Sequence, residues 1–271
     1  MSHESLNTTE LDAPLKQIIY EAGTFARKEF LNFSSNDIEY KGKNDLFSYV
    51  DVQTERILKD RCRELLPGSG FINEESENEP GTNGYQWIID PIDGTTNFVH
   101  GVPFFSISLA LYKGEEAHMG YVYHVMADEL FWAIRGRGAF CNDQPIEVRS
   151  TPELAHAILA TGFPFKDFSW ADDYFQMLKI FMERSHGLRR IGSAALDLAF
   201  VAAGRFDGFF EYGLNPWDLA AGALLVTEAG GTVTDFDGGN SYVFGGQLIS
   251  SNGRIHPEMQ EVIAKGIGQN V

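Results

Sequence analysis

Hydrophobic positions along the chain fall first into a helical rhythm. Leu15, Ile18, Ile19, Ala22, Ala26 and Phe30 recur on one face, with Asp12 as the expected cap and Pro14 in the first turn. The next stretch, IEYKGKNDLFSYVD, is polar and turn-rich until Asp51 opens a second helix, which directs Ile57, Leu58, Leu65 and Leu66 inward and stops at Pro67-Gly68. After Gly70 the rhythm becomes strand-like. FIN, WIID, FFSISLALY, MGYVYHV, ELFWAI, GAFC and IEVR follow in series, with Lys-Gly, Asp-Glu, Arg-Gly and Asn-Asp turn signals among them, which predicts a largely antiparallel meander. Beyond Thr151 strands and helices alternate. AILATG, YFQMLKIFMER, SAALDLAFVAAG, DGFFEY, PWDLAAGALLVTEAGG and a closing strand-helix pair predict a mixed α/β half. The division expected is 1–150 and 151–271, two halves sharing one interface with no linker and no internal repeat.

Composition narrows the class. At 271 residues, 44% hydrophobic and 13% aromatic, the chain can bury a sizeable core, and no run reaches the roughly 18 apolar residues of a membrane span. MSHESLNTTELDAPLKQ has no secretory signature, and the two cysteines, Cys62 and Cys141, fit neither a disulfide framework nor a metal motif. The expected location is the cytoplasm. With 38 acidic against 21 basic residues, the charge of −17 opposes contact with nucleic acid or an anionic membrane. An anionic small substrate would need local cations, from Lys/Arg or from metal.

The densest chemistry lies in WIIDPIDGTTNF, residues 87–98. WII reads as a buried strand, Pro91 as the stop of its ladder, and Gly94 as a tight turn into a helix starting at Thr95, Thr96 and Asn97. Asp90 and Asp93 can then point into one space, where carbonyls between them join as oxygen ligands for a hard cation such as Mg²⁺. The N–H groups after Gly94 offer a seat for a phosphate oxygen, and the Thr95 hydroxyl can position a water. Taken alone, D-x-x-D-G-T reads equally well as a helix cap beside a solvated turn.

Carboxylates at other strand and helix ends tip the balance. Glu74, next to strand FIN, is the better ligand of the Glu74-Glu75 pair, because FIN is expected beside WIID. Asp218 opens the apolar helix after Pro216, and Asp51 opens another, although either position also suits a helix-capping carboxylate. Gly192 and Ser193 start a further helix in RIGSAALDLAF, with an ordinary N-cap as the competing reading. DFDGG at Asp235 lacks the register of a calcium loop and reads as a turn.

Taken together these motifs resemble the inositol monophosphatases, within the Mg²⁺-dependent, lithium-sensitive phosphatase superfamily. WIIDPIDGTTNF is similar to the family's first signature, NPWDLAAGALLVTEAGG to its second and INEES to its glutamate pair. SYVDVQTE, ILATGFPF and RRIGSAALDLAFVAAGRFDGFFEYGLNPWD are similar to bacterial members. The resemblance spans nearly the whole chain and implies an α+β fold in alternating layers, αβαβα. It implies that Glu74, Asp90, Asp93, Asp218 and the Ile92 carbonyl bind two or three Mg²⁺, and that Asp51, Thr95 and Glu74 orient the attacking water. Gly94 and Thr95 would hold the phosphate, while Gly192, Ser193, Ala194 and Glu211 would meet sugar-like hydroxyls, with Asp93 and Asp218 also facing substrate. Where the family often has threonine, this chain has Ser193.

The expected reaction is hydrolysis of inositol 1-phosphate to inositol and phosphate by metal-activated water, without a covalent intermediate. Fructose 1,6-bisphosphate, histidinol phosphate and adenosine 3′,5′-bisphosphate are the alternative substrates within the superfamily. Glu211 favours polyol hydroxyls, from which a carboxylate accepts hydrogen bonds. Thr96-Asn97 is closer to the inositol and sugar branches than to the nucleotide branch. An aspartyl-phosphate mechanism is disfavoured because Asp90 and Asp93 lack D-x-D spacing. A non-enzymatic metal-binding interaction protein is the rival from another class. Lithium sensitivity and a homodimer follow from the resemblance alone.

Overall fold

The computed structural model describes residues 6–32, 38–42, 45–164 and 168–267. Two long helices, α1 (Thr8–Asn32) and α2 (Tyr49–Leu65), flank a hairpin of β1 (Ile38–Gly42) and β2 (Asp45–Ser48). Then come β3 (Gly70–Asn73), β4 (Tyr85–Asp93), the short α3 (Thr95–Val99), β5 (Ser106–Lys113), β6 (Glu116–His124), β7 (Glu129–Ile134), β8 (Ala139–Cys141) and β9 (Gln144–Ile146). β3 to β9 form a seven-stranded sheet in sequence order, antiparallel except for the parallel β3–β4 pair.

The rest of the chain supplies β10 (Ile158–Thr161), α4 (Ala171–Arg184), β11 (Gly187–Arg189), α5 (Ala194–Ala202), β12 (Gly208–Tyr212) and α6 (Pro216–Glu228). β13 (Thr232–Thr234), α7 (Tyr242–Gly245), β14 (Gln247–Ser251) and α8 (His256–Ile267) complete it. Its sheet has the order β11-β10-β12-β14-β13, with β10 parallel to both neighbours and the other pairs antiparallel.

Five layers result, αβαβα. α1 and α2 cover the outer face of the larger sheet, where Leu15, Ile19, Leu58, Trp87, Ile89 and Phe105 are buried together. α5 and α6, apolar on every side, lie between the sheets and join both cores through Ile88, Phe131, Leu198, Leu219 and Phe209. α4 and α8 close the smaller sheet over Phe181, Phe210 and Met259. A helix buried all round is what such a central layer demands. Among the described residues no helix is long and apolar enough to cross a membrane.

Several local expectations change. α1 starts four residues before Asp12, so Asp12 and Pro14 lie inside it. The Asp12 carboxylate instead accepts from the Tyr121 hydroxyl at 2.9 Å and pairs with Lys16 one turn on. The polar stretch before Asp51 forms the β1–β2 hairpin, apart from residues 43 and 44, which lie outside the described residues. Inward positions on α2 are Val50, Asp51, Thr54, Glu55, Leu58, Lys59 and Cys62, while Ile57, Leu65 and Leu66 are only half-buried. The strand expected at IEVR lies earlier, at Gln144–Ile146, because Asn142 and Asp143 both adopt positive φ and close a two-residue hairpin. At DFDGG, Asp235 Oδ1 accepts N–H groups from Asp237 and Gly239, and Oδ2 accepts from Ser241, so the loop binds its own aspartate.

Candidate active site

Pro91 does not end β4. Asp90 pairs with Ser108 and Asp93 with Ser106, so two residues on β4 stand against one on β5. The proline occupies this bulge, where a ladder N–H is not needed, and the ladder resumes at Asp93. The bulge places both carboxylates at the strand end, and Ile92 N–H donates to Asp90 Oδ1 at 3.0 Å. Gly94 then takes φ +100°, a left-handed conformation glycine adopts at no steric cost. A Cβ there would press on the carbonyls of Gly192 and Phe104, at 3.0 and 3.1 Å. Gly94 therefore also lets the loop before α5 approach.

Three carboxylates converge. Asp90, Asp93 and Asp218 each offer an oxygen, and these oxygens lie within 4.8 Å of one another. Asp218 is the third residue of α6, where its Oδ2 also accepts the Asn215 N–H at 2.6 Å, so capping and clustering coexist. Glu74, just beyond β3, shares a hydrogen bond with Asp90, and its Oε2 is buried with no hydrogen-bond partner. β3 and β4 pair in parallel, Asn73 opposite Ile89, which brings Glu74 to the same end as Asp90.

This crowding has an electrostatic signature. Burial, then the charges of Glu74, Asp93 and Asp218, holds Asp90 well above the ordinary carboxylate range. Glu74 is pushed up by burial and by Asp218. Asp93 rises only to about 6: burial lifts it, but hydrogen bonds from Ser193 and the N–H groups of Ala195 and Ala194 stabilise its anion. An orphaned carboxylate oxygen and mutually repelling buried acids fit a hard divalent cation bound through oxygen.

A second group lies alongside. Asp51, fully buried in the first turn of α2, faces Thr95, whose hydroxyl lies 3.1 Å from Asp51 Oδ1 and 3.0 Å from the Ile92 carbonyl. One turn along α2, Glu55 accepts the Glu75 N–H at 2.8 Å and anchors the loop that carries Glu74. Lys59, a further turn on, reaches Ser76 and Glu79. Glu79 is thus tied to Lys59 and Arg63, away from the cluster.

The third group comes from the smaller sheet and α5. Ser193 caps α5, and its hydroxyl donates to Asp93 Oδ2 at 2.6 Å and lies 3.2 Å from Ser106 Oγ. Asn97 donates to the carbonyls of Phe104 and Ile191, at 2.7 and 2.8 Å, stapling this loop to the one after Gly94. Gly192 takes φ +92° beneath Arg190 and Asn97. Glu211, on β12, is buried and rises to about 8; burial is the main cause, Arg190 opposes it, and Asp218 and Asp93 add to it.

Sequence reasoning named the carboxylates but missed Glu55, Asn97, Arg190 and Asp197. Asp197 is a buried α5 carboxyl with Oδ1 unpartnered, held well up by burial and then by Glu211. For Glu55 a signal existed: polar residues at 51, 54 and 55 occupy the face of α2 that should be apolar. Asn97 stood inside the quoted motif, but its partners are distant in sequence.

With this geometry in hand, comparison with known proteins is specific. A model of the inositol monophosphatase family matches residues 7–271. An inositol-1-monophosphatase of Rhizobium meliloti is 41% identical over 252 residues, 93% of this chain and 95% of that protein. The Nus factor SuhB of Escherichia coli K12 is 43% identical over 236 residues, 87% and 88% of the respective chains. The crystal structure of extragenic suppressor protein suhB from Bartonella henselae superposes with a TM-score of 0.90 at 37% identity, over 97% of this chain and all of that one. Over its whole folded length, this chain belongs to the inositol monophosphatase family.

Proposed function

We propose that the protein is a Mg²⁺-dependent phosphate monoester hydrolase whose preferred substrate is inositol 1-phosphate. The observation that carries this reading is the convergence of Asp90, Asp93 and Asp218 beside Glu74 and the Asp51–Thr95 pair. Glu74, Asp90, Asp93, Asp218 and the Ile92 carbonyl would hold two or three ions. Mg²⁺ held there would offset the carboxylates and supply Lewis acidity for a bound water and for the leaving alkoxide. Thr95, donating to Asp51, presents its oxygen lone pairs to the attacking water, and Glu74 faces the same water. The N–H groups of Gly94 and Thr95, at the start of α3, receive phosphate oxygens. Phosphate passes directly to water, with no covalent phosphoenzyme.

On the alcohol side, Glu211 accepts hydrogen bonds from hydroxyls, and Asp93 and Asp218 also face the substrate. Gly192, Ser193 and Ala194 contribute mainly backbone, because the Ser193 hydroxyl is committed to Asp93. The test is phosphate release from inositol 1-phosphate, with Mg²⁺ and with EDTA, beside fructose 1,6-bisphosphate, histidinol phosphate and adenosine 3′,5′-bisphosphate. Mg²⁺-dependent release, fastest from the inositol ester, is expected; no release from any of the four sinks the reading. Lithium inhibition and a homodimer belong to the same proposal, checked by titration and by analytical ultracentrifugation.

A second reading comes from the relatives called Nus factor SuhB, a name that is not an enzyme's. It is a protein-interaction role that needs no turnover. The Asp51–Thr95 pair and the unpartnered Glu74 oxygen favour catalysis, since docking requires neither. Failure of all four esters would favour the interaction role.

A further inference from the structure

Glu211 sits in a slot that only glycine leaves open. β10 and β12 pair in parallel with Thr161 opposite Phe210, so Gly162, the next residue, lies beside Glu211. An ideal Cβ built on Gly162 would overlap the Glu211 carboxyl, its Cδ and both oxygens alike. The carboxyl therefore lies against the bare α-carbon.

The slot is held from behind. The Thr161 hydroxyl lies 2.8 Å from the Phe210 carbonyl and 2.5 Å from the Tyr174 hydroxyl, which in turn donates to the Gly162 carbonyl at 3.1 Å. Thr161 and Tyr174 are buried, and Tyr174 comes from α4, which covers the far face of this sheet. Both strands are thus pinned at the level of Glu211. A methyl group on Gly162 cannot be absorbed by the backbone, whereas the end of a flexible glutamate can move. Gly162 shows no positive φ, so alanine there carries no backbone strain.

We propose that Gly162 is a positioning residue for alcohol selection: its missing side chain sets the depth at which the Glu211 carboxylate meets the hydroxyls of the leaving alcohol. This rests on the reading of Glu211 as an alcohol contact. The three atoms nearest to a Cβ on Gly162 all belong to Glu211, so a change there alters which alcohol is preferred more than whether phosphate is released. A displacement of an ångström is enough to break a hydrogen bond that needs about 2.7 Å.

The test measures kcat/KM of Gly162→Ala on inositol 1-phosphate and on phenyl phosphate, whose alcohol offers no ring hydroxyl to Glu211. The ratio of the two is expected to fall at least tenfold. In a Glu211→Ala background, Gly162→Ala should change that ratio less than twofold, because no carboxylate remains to be displaced. Equal losses on both esters, or an undiminished effect without Glu211, would show a merely structural role and overturn the proposal. A wild-type protein that hydrolyses neither ester sinks the phosphatase reading separately. Calorimetric affinity for free myo-inositol then decides for Gly162, lost at least tenfold in Gly162→Ala if the slot sets Glu211 and unchanged if it does not.

Discussion

The two walls of the site are built on opposite principles. On the proposed metal side, Asp51, Glu74, Asp90 and Asp93 come from α2, the end of β3 and β4, and burial, with the charge of Asp218 added, pushes both Glu74 and Asp90 up. On the alcohol side, Glu211 has Arg190 to oppose its burial, and the neighbouring loop presents the N–H groups at the start of α5. On the proposed reading a cation would relieve the first wall; in the second, Arg190 offsets the burial of Glu211 only in part. Asp93 belongs to both, because its position is set by the β4 bulge while its charge is soothed by Ser193 and Ala195. On that reading, Asp93 would link metal binding to substrate recognition.

The largest expected effect tests that shared role. Asp218→Asn and Asp93→Asn should each lower Mg²⁺-dependent turnover on the order of a thousandfold, the scale of removing a group that stabilises charge in the reaction. They should differ in melting. Asparagine at 218 still accepts the Asn215 N–H, so its midpoint stays near wild type. At 93 burial disfavours the anion even with Ser193 and Ala195 donating to it, so in EDTA near pH ~8 the neutral asparagine should raise the midpoint by circular dichroism. Identical melting of the two variants would break the claim that Asp93 joins the walls.

The two walls also differ in how legible they were. Asp90, Ile92, Asp93, Gly94 and Thr95 lie within six residues, and a strand entering a glycine turn brings them together whatever the distant chain does. What stayed hidden even there was the bulge, since proline reads as a stop unless the opposite strand is known. The antiparallel meander and the alternating half after it were legible from the change of period along the chain, whereas their αβαβα layering came from the resemblance. The short β11 and β13 and the β1–β2 hairpin were not, because three to five polar or mixed residues carry no period. The alcohol wall was legible at Glu211 only by resemblance. Gly162 and Asn97 act through partners 49 and 94 residues away, pairings that only the strand register and the α5 approach create.

A smaller effect probes the water-facing pair. Asp51→Asn and Thr95→Ala should each slow turnover by about 10- to 100-fold with little change in Mg²⁺ requirement, since neither is proposed as a ligand. If hydroxyl and carboxylate act as one unit through their 3.1 Å contact, the double variant should be little slower than either single one. Multiplying effects would show that the two residues act separately, and the metal wall would then lose its second function.

Acid-base linkage separates the walls without mutation. Asp93 near 6 and Glu211 near 8 lie above ordinary carboxylate values, and Asp90 and Glu74 are raised further by burial and mutual charge. A raised folded-state pKa stabilises the protein fully below the unfolded value, about 4, and that stability is lost as pH climbs through the folded value. In EDTA the melting midpoint should therefore fall by several degrees from about pH 5 to about pH 9. Mg²⁺ should flatten the fall, because bound cation replaces the protons on the metal wall, leaving the Glu211 step near 8. A midpoint in EDTA that is flat or rising over this range would contradict the crowding on which the comparison rests.

The smallest effect concerns the seam itself. Ser193 caps α5 through Leu196 N–H, donates to Asp93 and lies against Ser106, all within a buried site. Ser193→Ala removes the cap and one donor to the anion, a loss of about 1–2 kcal/mol. Threonine keeps the hydroxyl and adds a methyl, so Ser193→Thr should melt near wild type. In Ser193→Ala the Asp93 anion keeps its Ala195 N–H but loses its hydroxyl donor, so its pKa rises and Mg²⁺ must displace a proton held more tightly. Below about pH 7 the alanine variant should need several-fold more Mg²⁺ for half-maximal turnover, and the difference should shrink as pH rises. If alanine lowers the melting point without moving the Mg²⁺ requirement at any pH, Ser193 is only a helix cap, and the two walls meet at Asp93 by packing and not by charge.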